Sequence, residues 1–182
     1  DDSEGCSELP GLHGRPPKVA FVEKQAQFAW HAGMLLPGAK MQITFMKDMA
    51  TLRNPRTEFT FVNYLHKNNR LVEFMNLNTF LPQRIEYEDY MRWCAKRFDD
   101  VVKYNEEVVE VLPDDGLKGQ EPVSCFLVRS WNAKTGEFTT LKTRHVVIAA
   151  GGKPKIPDHL PQLHPRVIHS AFYSFALPKV LP

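Results

Sequence analysis

The sequence predicts a mixed α/β fold with a parallel core and an antiparallel β insertion. Three observations carry that prediction. A short apolar run, KVAFVE at 18–23, ends in an acid, as a strand of an α/β sheet often does. The late run HVVIAAGG is apolar throughout and reads as a strand buried on both faces, the mark of a parallel sheet. Between them, two β-rich runs flank the turn NAKTGE at 132–137, which predicts a hairpin or meander.

The 182 residues suffice for one ordinary domain, and an apolar content of 43% can fill a core. Net charge is only +2, with basic residues mixed among acids, so no face is offered to nucleic acid. Cys6, Cys94 and Cys125 lie far apart, without a CxxC pair, and predict a reduced, cytoplasmic protein. No apolar run is long enough to cross a membrane, and no apolar signal segment opens the chain. The chain begins at Asp1 and ends in LPKVLP without an obvious closing helix or strand. Both ends suggest a piece of a longer protein.

The elements follow in order. Residues 1–17 are polar and rich in Gly and Pro, and read as a loop. Residues 18–23 read as a short buried strand. Residues 24–56 have little periodicity, yet carry Trp, His, Met, Gln and Lys between Gly and Pro. Residues 57–67 suit a helix, with Phe61, Tyr64 and Leu65 on one face. RLVEFMNLNTFLPQR reads as a strand or extended piece leading to a turn at Pro82. Residues 86–98 form the clearest helix, striped by Tyr87, Tyr90, Met91, Cys94 and Phe98. Acids in its first turn and bases at its end suit the helix dipole. Three strands are predicted after it: 101–109 in two pieces, 124–131, and 137–149. A Pro-rich tail follows.

Several residues invite a chemical reading beside a plain one. Glu23, closing its strand, can accept a hydrogen bond from a dinucleotide ribose, or be a solvated strand end. AAGG allows close approach of a cofactor to the backbone, or simply turns the chain. Trp30, His31, Met41 and Gln42 can line a pocket, or form a satellite of the core under a long loop. Lys47 can bind a carboxylate, or pair with its neighbour Asp48. No HxH, HExxH or Cys/His cluster points to a metal, and no GxSxG elbow points to a serine nucleophile.

The order of longer words points further. FVEKQAQFAWHAGMLLPGAKMQITFMKDMATLRNPRTEFTFVNYLHKNNRL, NTFLPQRIEYEDYMRWCAKRF, EEVVEVLP, VVIAAGGKPKIP and RVIHSAFY occur in that sequence. With them the chain resembles the fungal L-ornithine N5-monooxygenases, flavin enzymes that begin hydroxamate siderophore synthesis. The resemblance implies a fragment of a two-dinucleotide-binding-domain flavoprotein. Residues 18–182 would be part of its FAD-binding domain with an antiparallel β insertion. The first glycine-rich turn would lie before Asp1, and the NADPH domain after Pro182.

The resemblance also implies roles. Glu23, Lys24, Gln25, Ala26, Gln27, Phe28, Ala29, Trp30 and His31 would line FAD. Met41 and Gln42 would lie beside the flavin, Arg84 near the nicotinamide site, and Val108 would make a backbone contact on the adenine side. Lys47 would be the active-site residue holding L-ornithine, by positioning rather than by acid–base work. Gly151 stands where many such flavoenzymes have Thr. NADPH would reduce FAD, and the reduced flavin would use O2 to hydroxylate the neutral side-chain amine. The full-length protein would be a cytoplasmic homo-oligomer, while this chain alone is not expected to complete a cycle. The rival expectations are a lysine N6-monooxygenase, another flavin monooxygenase, or a non-catalytic truncated fragment.

Overall fold

A computed structural model describes residues 18–114, 123–162 and 164–180. The loop expected over 1–17 lies outside the described residues. The chain divides into two compact units, Asp1–Gln27 with Asp99–Gly151, and Phe28–Phe98 with Gly152–Pro182.

In the first unit, β1 (Phe21–Glu23) pairs in parallel with β2 (Val102–Tyr104), Glu23 opposite Tyr104. The strand expected over 18–23 is therefore shorter, and it is not buried: Phe21 is 48% exposed. A parallel strand is enclosed only where other elements cover it, and this sheet has two described strands. Asn105 then adopts a left-handed conformation, φ 61°, which a short polar side chain tolerates. It breaks the run 101–109 in two, as the sequence suggests.

The antiparallel insertion follows in the order β3 (Glu106–Pro113), β4 (Phe126–Asn132) and β5 (Phe138–Thr143). The expected hairpin turn joins β4 to β5. Asn132 Oδ1 accepts the N–H groups of Lys134 and Thr135, both at 2.9 Å, and Gly136 supplies φ 77°. Such side-chain acceptance is how Asn organises a turn. A bulge between Val108 and Glu110 interrupts β3.

The last strand expected here, over 137–149, stops at Thr143. HVVIAAGG forms no strand, and Val147 and Ile148 are 88% and 83% exposed. The expectation of a buried strand there does not hold: an apolar run becomes a strand only where a neighbouring strand takes its backbone groups. Among the described residues no strand pairs with 145–152. The reduced reading of the cysteines also needs correction. Cys94 is free and buried, whereas Cys125 is buried and disulfide-bonded.

The second unit is built on aromatic packing. Helix α1 (Phe61–Lys67) begins where Thr60 accepts the N–H of Asn63, a side-chain cap. It ends at left-handed Asn69, with the Arg70 N–H on the Leu65 carbonyl at 2.8 Å, a Schellman closure. The chain restarts at once as helix α2 (Leu71–Asn76). This overturns the extended reading of residues 70–84. Leu71 and Phe74, three apart, both pack on the core, and that spacing matches a helix rather than a strand.

Helix α3 (Arg84–Ala95) continues as a 3-10 turn to Phe98. It presents Tyr87, Tyr90 and Cys94 to Phe61, Tyr64, Leu65, Phe74 and Met41 in one core cluster. The last element is helix α4 (Tyr173–Val180), where the sequence suggests no closing element.

Candidate active site

The candidate residues fall in both units. In the first, Glu23 is half-buried, while Lys24, Gln25, Ala26 and Gln27 are exposed. Glu23 Oε1 accepts the Gln25 N–H at 2.8 Å, and the Gln25 carbonyl accepts the Asn105 N–H at 2.9 Å. The peptide after the acid is thus held from both sides, which fixes where the carboxylate stands. Val108 sits on β3 opposite Ser130, immediately before the bulge, and is exposed.

One buried carboxylate supports this arrangement. Glu106 accepts hydrogen bonds from the Ser130 hydroxyl at 2.7 Å and the Asn132 amide at 2.8 Å. These donors favour the charged form and hold the Glu106 carboxyl below its usual range. Glu106 adjoins Asn105, whose carbonyl accepts the Ala133 N–H at 2.8 Å. The insertion therefore braces the residue that holds Gln25.

In the second unit, Phe28, Ala29 and Trp30 are half-buried and His31 is exposed. His31 has φ 46°, an uncommon conformation for a residue with a side chain. Trp30 meets His31 edge-on at 4.8 Å between ring centroids and Tyr87 at 5.8 Å. Arg84 lies over the Trp30 ring. The Arg84 Nε is buried and has no hydrogen-bond partner among the described residues.

Backbone pairing explains how a stretch without periodicity is held. Ala39 O accepts from Arg84 N–H at 2.7 Å, Pro82 O from Met41 N–H at 2.8 Å, and Phe80 O from Phe45 N–H at 2.9 Å. Residues 39–45 thus run along 80–84 as an antiparallel strap. The strap buries Met41 in the core cluster and leaves Gln42 exposed. For Met41 and Trp30 the satellite-of-the-core reading describes the packing well, since both contribute to that cluster.

Lys47 ends a 3-10 turn, Phe45–Lys47, capped by Thr44. Its carbonyl accepts the Tyr87 hydroxyl at 3.3 Å. Lys47 is exposed, and among the described residues its ammonium makes no ion pair, with Asp48 or with any other acid. The plain reading of Lys47, a pair with Asp48, does not hold. Trp30, His31 and Arg84 are brought into contact; Lys47 is linked to Tyr87 through its backbone.

Sequence reasoning missed Asp48, Asn105 and Tyr87 as supports. The word DMAT, Asp48 to Thr51, held the available signal, because Asp followed by Thr three residues on suits a local turn. Asn105 between two β runs was a further hint of a left-handed break. Cys94 is buried, and burial pushes its thiol up to about 11, away from the thiolate form. Among the described residues no group of three His, Cys, Asp or Glu could hold a metal, and no helix is long and apolar enough to cross a membrane.

The fold first defines a class. It matches the flavin monooxygenase fold of solved ornithine hydroxylases. PvdA, the ornithine hydroxylase of Pseudomonas aeruginosa, matches with a TM-score of 0.79 at 40% identity, over 88% of this chain and 39% of that one. KtzI, the ornithine N-hydroxylase of Kutzneria sp. 744, in a structure with reduced FAD, NADP+ and L-ornithine, matches with a TM-score of 0.79 at 37% identity, over 90% and 38%.

The family model described as L-lysine 6-monooxygenase/L-ornithine 5-monooxygenase matches residues 11–180, and the chain belongs to that family. The L-ornithine N(5)-monooxygenase of Cochliobolus heterostrophus is 60% identical over 182 residues, 100% of this chain and 34% of the relative. The chain spans about a third of the length of the curated relatives it matches. The family resemblance read from the sequence words is borne out.

Proposed function

We propose that the whole protein hydroxylates the side-chain amine of L-ornithine with FAD, NADPH and O2, the first step of hydroxamate siderophore biosynthesis. The observation that carries this reading is the Lys47 ammonium, exposed and without an ion pair among the described residues, beside an acid that is otherwise engaged. A free cation on a pinned segment suits the α-carboxylate of an amino acid. Holding that end sets the reach of the far amine, and one methylene in a fitted pocket is worth roughly 1–3 kcal/mol. The name of the 60% identical relative supports ornithine over lysine.

The residues present also fit the cofactors. The buried Arg84 Nε has no acceptor among the described residues, and a buried donor without an acceptor is costly unless something completes it. That suits an acceptor on a bound dinucleotide near the nicotinamide. Glu23 would accept from a ribose hydroxyl of FAD, with Lys24 to His31 along the cofactor and Val108 on the adenine side. Gln42 would offer its amide to the flavin edge, backed by Met41. Bound flavin supplies the redox chemistry, from NADPH to O2; the protein supplies binding, orientation and dryness.

In this reading residues 18–182 are part of the FAD-binding domain of a two-dinucleotide-binding-domain flavoprotein, cytoplasmic and homo-oligomeric. The test uses the full-length holoenzyme with ornithine and lysine, products being identified by mass spectrometry. N5-hydroxyornithine should dominate. Lys47→Ala should raise the ornithine KM at least tenfold, about 1.4 kcal/mol, with flavin reduction by NADPH near normal. Hydroxylation of lysine in preference to ornithine would overturn the substrate assignment. An unchanged ornithine KM in Lys47→Ala would remove Lys47 from it.

A further inference from the structure

Lys47 and Asp48 are sequence neighbours of opposite charge, and they do not pair. The reason lies in what the Asp48 carboxylate accepts. Its Oδ1 takes the N–H groups of Ala50 at 2.9 Å and Thr51 at 2.5 Å. Its Oδ2 takes the Thr51 hydroxyl at 2.7 Å and the Phe61 N–H at 2.6 Å. An ionised carboxylate offers about four lone-pair sites, so these donors saturate it.

The Phe61 N–H is one of the donors that a helix start leaves without an internal partner. Asp48 therefore ties the residue after Lys47 to the beginning of α1. Helix α3 holds the same stretch at two more points. The Tyr87 hydroxyl donates to the Lys47 carbonyl, and the Tyr90 hydroxyl accepts the Met49 N–H at 3.1 Å while donating to Phe59 O at 2.7 Å. Tyr90 is fully buried. The backbone from Lys47 to Thr51 is thus fastened to two helices, while the Lys47 ammonium makes no ion pair among the described residues.

We infer that Asp48 is a positioning residue for substrate: it fixes the backbone that carries Lys47 and, being saturated by its own donors, leaves the Lys47 ammonium to a substrate carboxylate. This rests on the reading of Lys47 as the carboxylate-binding residue. Asp48 acts only through Lys47 and touches no substrate. Asp48→Asn replaces one accepting oxygen with an NH2 group that cannot accept an N–H, so either the tie to Phe61 or the bonds from Ala50 and Thr51 are lost, and the segment is no longer held at both ends. Misplacing a binding group by a small distance costs rate and affinity out of proportion to the contact.

The experiment is a double-mutant cycle in the full-length holoenzyme. Asp48→Asn should raise the ornithine KM at least tenfold, with FAD content and NADPH-driven flavin reduction without ornithine within twofold of wild type. In a Lys47→Ala background the same substitution should change the ornithine KM less than twofold. Equal effects in the two backgrounds would make Asp48 merely structural and overturn the inference. So would an unchanged KM in Asp48→Asn while Lys47→Ala raises it. If Lys47→Ala itself leaves the KM unchanged, the carboxylate-binding reading fails, and this inference with it. Thr51→Val, which removes one donor, is the milder second probe. It should raise the KM about threefold, and only where Lys47 is present. If Asp48→Asn yields no folded holoenzyme, the Thr51→Val pair decides by the same criteria.

Discussion

The guanidinium carbon of Arg84 lies 4.9 Å from the centroid of the Trp30 ring, while its Nε is buried without a hydrogen-bond partner among the described residues. Stacking on an indole is worth roughly 0.5–2 kcal/mol, depending on desolvation. A lysine keeps the charge but loses both the planar stack and the Nε donor. Arg84→Lys in the full-length enzyme should raise the NADPH KM about tenfold, which corresponds to about 1.4 kcal/mol. The ornithine KM should stay within twofold. Stopped-flow flavin reduction across NADPH concentrations checks it; a wild-type profile would take Arg84 out of the nicotinamide site.

Glu23 offers a cleaner test of FAD binding because its two duties can be separated. One is local, acceptance of the Gln25 N–H. The other is the proposed bond to a ribose hydroxyl, worth roughly 1.5–3 kcal/mol if charge-assisted. Glu23→Gln keeps an oxygen for Gln25 and loses the charge; Glu23→Ala loses both. FAD affinity should fall in the order wild type, Gln, Ala, with the Ala loss approaching a hundredfold. Flavin titration of the apoproteins measures this, and equal affinities would remove Glu23 from the site.

Glu106 makes the antiparallel insertion sensitive to acid. Its folded pKa is lowered, so it contributes stability above its unfolded value of about 4.5. That stability is lost as pH falls through the lowered folded value. Ser130→Ala removes the leading donor and should cost about 1–3 kcal/mol at neutral pH. The gap between wild type and variant should narrow as pH falls below the ordinary carboxylate range. Thermal unfolding at several pH values would show it; a gap independent of pH would mean Glu106 is not the linked group.

Gly33 and Gly38 should both lose stability on substitution by Ala, but by different amounts and for different reasons. A Cβ on Gly33 would stand 1.9 Å from the Ala171 carbonyl oxygen, on backbone that cannot swing aside. Gly38 has φ 77°, and a Cβ there would meet nothing within 4 Å among the described residues. Gly33→Ala is expected to cost about 3 kcal/mol through overpacking. Gly38→Ala should cost only about 1–2 kcal/mol of backbone strain. A pair of melting curves ranks them. A Gly33→Ala protein as stable as wild type would show that residues 32–34 do not pack on 170–172 as described.

Legibility in the sequence followed the range of the interaction concerned. Helix α3 was readable because Tyr87, Tyr90 and Cys94 repeat at helical spacing, a property of the chain itself. The β4–β5 turn was readable because Asn132 and Gly136 carry their turn chemistry locally. The family was readable because long words occur in a set order. Helix α2 was misread because RLVEFMN contains β-prone and helix-prone residues in similar measure. What settles it is the closure of α1 at Asn69 and the burial of Phe74.

The sequence by itself determined the fold class, the antiparallel insertion, the family and the names of the residues to examine. Only the tertiary structure decided how those residues are held. Asp48 is four bonds' worth of acceptor for Ala50, Thr51 and Phe61 rather than a partner for Lys47. HVVIAAGG is exposed chain rather than a buried strand here. The physical reason is common to both. A carboxylate and a strand each take the partners that folding brings within hydrogen-bond reach, and those partners lie elsewhere in the chain. Phe61 is thirteen residues from Asp48, a distance at which no local pattern announces the bond.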